Sequence, residues 1–147
     1  GCGTGRYLEI QKLYKKVYLL DISKHNLKIA SEVADKLEVE YETIQGSLNS
    51  FNNLIDIFFS VGVFGIQYPF NKKTVGKIFS TLNPRGIAIF TVKNNDYQDQ
   101  EIYQEVLALN ESRILEMLEG YDFSIERVDF PSIRGKKDSA VVVKLRK

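Results

Sequence analysis

The chain opens on Gly1-Cys2-Gly3-Thr4-Gly5, residues whose types and spacing suit the binding of a polar ligand. Glycine adopts backbone angles closed to other residues and lets a ligand approach with no Cβ in the way. Placed before a helix, such a loop also aims free N–H groups and a positive dipole end at its occupant. Three alternating glycines alone are a weak signal, and Asp21 strengthens it. Asp21 closes the apolar run KVYLLDI of residues 16–22. A carboxylate at the carboxyl end of a strand stands where open α/β sheets bind ligands. There it can accept hydrogen bonds from both hydroxyls of a ribose. A dinucleotide loop needs a third glycine, in the order G-x-G-x-x-G. Here that position holds Arg6, which makes a nicotinamide-dependent oxidoreductase the lesser reading.

Other reactive side chains carry less. His25 is the single histidine, and it falls in the first turn of an expected helix, where an exposed role outweighs that of a base. Cys2, the single cysteine, has no histidine near it in sequence and reads as a packing residue rather than a nucleophile. No general base stands out, so no catalytic residue is assigned, and no metal is expected. Phe64, Tyr68 and Tyr97 fall on loops after strand ends and are candidates for a substrate pocket.

These residues need a frame to hold them. Residues 16–22 and 54–64 are nearly continuous apolar runs, the pattern of strands buried on both faces. Residues 39–45 alternate as a strand, and residues 86–93 form another apolar strand. Helices are expected over residues 6–14, after Ser23, after Asn71 and after Asn110, the last three being N-cap residues. Residues 124–130 and 140–145 are joined by a single loop and read as an antiparallel hairpin. Strands alternating with helices give a mostly parallel sheet with helices on both faces. The expected fold is therefore α/β, Rossmann-like, with a C-terminal antiparallel hairpin, in one domain spanning residues 1–147.

The segment GCGTGRYLE followed by KVYLLDIS resembles the class I S-adenosylmethionine-dependent methyltransferases. The resemblance continues through YETIQGSL, LIDIFFSVGVFGIQYP, STLNPRGIAIFTVKN and NESRILEMLEGYDFSIERVDF. It implies methyl transfer with S-adenosylmethionine as cofactor. Gly1, Cys2, Gly3, Thr4 and Gly5 would line the methionine part, and Asp21 would hold the ribose hydroxyls. Ile22 would pack on the adenine, with Ser47 and Leu48 at its edge. Ser60, Val61 and Gly62 would pass beneath the sulfonium. Many relatives carry an acid where this chain has Ser47. The resemblance also implies a central strand before Gly1, so the chain is expected to be an N-terminally truncated form of the domain. FFSVGVFG lacks the Asn/Asp-Pro-Pro-aromatic motif of enzymes that methylate nucleic-acid bases, which favours a small-molecule acceptor. A non-catalytic Rossmann-like binding module is the other rival.

Bulk composition agrees with a soluble globular chain. Hydrophobic residues make up 44% and charged residues 27%, enough for a buried core. The net charge of +1 gives no electrostatic reason to expect nucleic acid or a membrane surface. No apolar run reaches the length of a membrane span, and a cytoplasmic location is expected.

Overall fold

The computed structural model describes residues 1–11, 13–94, 109–131 and 137–147. The chain forms two compact units, Gly1–Asn53 and Leu54–Lys147. Its strands form two sheets, one of two strands and one of four.

The first unit contains helix α1 (Leu8–Gln11), strand β1 (Val17–Asp21), helix α2 (Lys24–Lys36) and strand β2 (Tyr41–Gln45). β1 and β2 are parallel, with Val17 opposite Tyr41 and Asp21 opposite Gln45. The connection through α2 is the crossover that parallel pairing demands. Ser23 caps α2 by accepting a hydrogen bond from the Asn26 N–H at 3.2 Å. Leu27, Ala30 and Ala34, on the inner stripe of α2, are buried with Leu8, Val17, Leu19 and Val39. The expected helix of residues 6–14 is reduced to one turn, because only Leu8 on it is buried. Ile10 and Leu13 are exposed, and a short helix without a buried face has little to hold it.

The second unit contains strand β3 (Ile55–Phe64), helix α3 (Lys72–Ser80), strand β4 (Leu82–Asn94), helix α4 (Glu111–Leu118) and strands β5 (Asp122–Pro131) and β6 (Lys137–Arg146). The strand order is β3-β4-β6-β5. β3 and β4 are parallel, and the expected hairpin is present as antiparallel β5–β6, which joins β4 through β6. Asn71 and Asn110 cap α3 and α4 through the N–H groups of Thr74 and Arg113, at 2.9 and 3.0 Å. Val75, Ile78, Ile114 and Leu118 from these helices are buried, as are Phe90, Val92, Val141, Val143 and Leu145 of the sheet.

β4 starts before the expected Gly86. Asn83-Pro84-Arg85-Gly86 lies within its span, and the β3–β4 register shifts between Ile55 and Ile57. Arg85 has φ of 67°, and a Cβ on Gly86 would come within 2.8 Å of the Asn83 carbonyl oxygen. The turn is thus folded into the strand's entry and secured by the C-terminus, where Arg85 N–H donates to Lys147 O at 2.8 Å.

Candidate functional site

In the first unit the glycine loop is tied to the end of β1 from two directions. Cys2 N–H donates to Leu20 O at 2.8 Å, continuing the strand's backbone pairing into the loop. Gly3 N–H donates to Asp21 Oδ2 at 2.8 Å, and Ser23 N–H donates to Asp21 Oδ1 at 2.9 Å. Asp21 is buried, so these charge-assisted bonds replace much of its lost water. Each carboxylate oxygen keeps acceptor capacity for a further donor. The backbone at Asp21 is fixed as well, since Gly46 N–H donates to its carbonyl at 2.9 Å.

The two inner glycines serve different ends. Gly5 has φ of +83°, and a Cβ there would meet Leu8 Cδ1 at 2.7 Å and Ala30 Cα at 3.2 Å. It lets the loop press against α2. Gly3 has φ of +55°, and a Cβ there would meet nothing within 4 Å. Its surroundings are open, as a ligand-facing backbone requires. Thr4 is exposed and Cys2 half-buried. Burial and the neighbouring Asp21 carboxylate raise the Cys2 thiol from the ordinary 9.0 to about 11. The thiol stays protonated at neutral pH, in keeping with a packing role and against nucleophilic chemistry.

Ile22, directly after Asp21, is 72% exposed, so a large apolar side chain stands uncovered at the carboxyl end of β1. Ser47 opens a short 3-10 turn, Leu48–Ser50, without capping it through its hydroxyl. Leu48 is buried, which leaves its backbone rather than its side chain for any ligand contact. His25 is exposed in the first turn of α2.

In the second unit, Ser60, Val61 and Gly62 fall where the β3–β4 register shifts, between Ser60 and Phe64. Ser60 is buried and Val61 exposed. Gly62 has φ of +74° with open space around its Cβ position. Its N–H donates to Thr91 Oγ1 of β4 at 2.9 Å, a partner that no sequence motif marks.

Phe64, expected as a candidate for the substrate pocket, has its ring buried. It is 2% exposed and packs with Phe90, Tyr68 and Phe70 at ring-centroid distances of 5.4, 6.1 and 6.1 Å. The strand end turns it into the core. Tyr68 stands edge-on to Phe64 and is half-buried. Tyr97 lies outside the described residues. Gly65, next to Phe64, approaches Lys93 so closely that a Cβ would meet the Lys93 backbone nitrogen at 3.2 Å.

Among the described residues, no group of three or more His, Cys, Asp and Glu side chains is placed to hold a metal ion. No described helix is long and apolar enough to cross a membrane.

The chain as a whole has counterparts among known proteins. The model of the methyltransferase domain family matches residues 1–136. No curated protein matches the chain. A SAM-dependent methyltransferase from Methanosarcina mazei is 15% identical, with a TM-score of 0.78 over 100% of this chain and 89% of its own. The N-methyltransferase NodS from Bradyrhizobium japonicum, in complex with S-adenosyl-L-homocysteine, is 16% identical, with a TM-score of 0.75 over 100% of this chain and 74% of its own. TehB from Haemophilus influenzae is 18% identical with a TM-score of 0.73, and this chain covers 55% of its length. At these identities the structural likeness speaks to fold, whereas the family match spans most of the chain: it belongs to the methyltransferase domain family.

Proposed function

We propose that this domain transfers the methyl group of S-adenosylmethionine to a small-molecule acceptor, and that the first unit holds the nucleoside part of the donor. When bound, S-adenosylmethionine supplies a methyl group on a positively charged sulfur. The observation that carries the reading is the Asp21 carboxylate, pinned by the N–H groups of Gly3 and Ser23 at 2.8 and 2.9 Å. The remaining lone pairs of a carboxylate held so firmly can take the paired hydroxyls of a ribose. Ile22, with its exposed side chain, offers an apolar surface for one face of an adenine ring. The left-handed Gly3, with nothing near its Cβ position, lets the loop backbone lie against the methionine portion.

At the end of β3, Gly62 is left-handed with open space around its Cβ position and Ser60 is buried. A small acceptor is favoured by FFSVGVFG at that strand end, which lacks a base-methylating motif. Transfer to a neutral nucleophile needs chiefly alignment and exclusion of water. A base is required only where the acceptor must lose a proton in the step.

Calorimetric titration with S-adenosylhomocysteine and, separately, with NAD tests the reading. Binding of the former that is weakened by Ile22→Ser, with no binding of NAD, is the expected result. Tight NAD binding, or none of either compound by a folded protein, would overturn it.

A further inference from the structure

We propose that β5 is a dimerisation edge, on which a second copy of this chain pairs its own β5 antiparallel across a twofold axis centred on Val128. β5 is the outermost described strand on its side of the sheet, and among the described strands it pairs with β6. An outer strand presents a row of backbone donors and acceptors that another strand can complete. From Glu126 to Phe130 every residue of β5 is exposed, including Val128 at 41% and Phe130 at 40%. Phe130 has the Lys93 ammonium over its ring at 5.3 Å, yet it and Val128 still add exposed apolar surface to this edge, which natural sheets avoid unless the edge is covered.

The charges on this segment select both the partner and the register. A twofold axis between two copies of one strand must be perpendicular to the sheet, because opposed residues in an antiparallel pair point to the same face. The axis therefore passes through a single residue type facing itself. Centred on Glu126, Arg127 or Asp129, it sets two like charges opposite each other, which is destabilising. Centred on Val128, it sets valine against valine and Arg127 against Asp129 of the partner, twice. Within one chain Arg127 Nε already donates to Asp129 Oδ1 at 3.1 Å, on the same face of the strand. The dimer would place these four groups in an alternating square, each arginine between two carboxylates. On the opposite face Phe130 would lie against the stem of the partner's Glu126 and extend the contact made by the two valines. The paired stretch, Glu126 to Phe130, is of ordinary strand length.

One pair of short strands buries little surface, so the dimer should be of moderate affinity, with dissociation in the micromolar range. Sedimentation equilibrium of the purified protein tests this across protein concentration. Arg127→Asp should raise the dissociation constant by about tenfold or more, since it turns both cross-strand attractions into repulsions. Asp129→Arg should do the same. The swapped double variant, Arg127→Asp with Asp129→Arg, should restore dimerisation, which general damage to the fold would not do. These positions are exposed, and circular dichroism of each variant should match the parent. A strictly monomeric parent overturns the proposal. So does a dimer whose affinity is indifferent to Arg127→Asp, or one that the double swap fails to restore.

Discussion

The Gly3 N–H points at the buried carboxylate of Asp21 and donates to its Oδ2 at 2.8 Å. The glycine loop and the acid at the end of the next strand are thus hydrogen-bonded to each other. Loss of the carboxylate strands the Gly3 and Ser23 backbone donors and, on the proposed function, also removes a ligand contact.

Asp21→Ala should therefore weaken S-adenosylhomocysteine binding by about 1.5–3 kcal/mol, the usual worth of a hydrogen bond to a charged group. Asp21→Asn should fall between parent and alanine variant, because the amide keeps one acceptor oxygen. Calorimetry ranks the three. Equal affinities for parent and alanine variant would remove Asp21 from the site.

Gly3 and Gly5, the left-handed glycines of the loop, should separate stability from binding. Gly5→Ala forces a Cβ against Leu8 and the Ala30 backbone, and should lower stability by about 1–3 kcal/mol. Gly3→Ala meets nothing and carries only the strain of a non-glycine residue in that region, about 1–2 kcal/mol or less. Its main effect should be on ligand affinity. Thermal melts with and without S-adenosylhomocysteine distinguish the two outcomes. A larger melting shift for Gly3→Ala in the free protein would reverse the assignment.

Cys2 gives a pH signature. Its thiol is raised from 9.0 to about 11, first by burial and then by Asp21, so the folded state holds its proton longer than the unfolded state does. The stabilising contribution is complete below about pH 9 and declines as pH rises toward 11. At pH 8 alkylation by iodoacetamide should run about a hundredfold slower in the native protein than in urea, following the thiolate fraction. Mass spectrometry of timed samples measures this. Comparable native and denatured rates would show the thiol to be open and unperturbed.

Phe64 should behave as a core residue. Phe64→Ala should destabilise the second unit by about 3–5 kcal/mol, whereas the half-buried Tyr68 should cost less when truncated. Chemical denaturation gives both values. A harmless Phe64→Ala would return that ring to the candidate pocket.

The sequence revealed what local chemistry decides. Ser23, Asn71 and Asn110 declare their helices because an N-cap acts on the next three residues, and all three make the expected bond. Asp21 was legible because it follows an apolar run and precedes a cap. The burial of Phe64 is not legible in the sequence, because an aromatic at a strand end looks the same whether the chain then turns it inward or outward. The bond between Gly62 and Thr91 joins residues far apart in the chain, with no periodicity to announce it. The turn at Asn83–Gly86 was visible as a turn, but its inclusion in β4 depends on pairing with the C-terminal Lys147.

The mixed sheet of the second unit also bears on how this part of the chain is built and undone. β5 and β6 are joined by one short connection and pair along their whole length, so their association needs little loop closure and can occur within microseconds. Among the described strands of this sheet, β3 pairs with β4 and stands at one end, whereas β6 lies between β4 and β5. In native-state hydrogen exchange, the amides of Ile57 and Phe59 on β3 should accordingly exchange ahead of those of Val141 and Val143, at the sheet's centre.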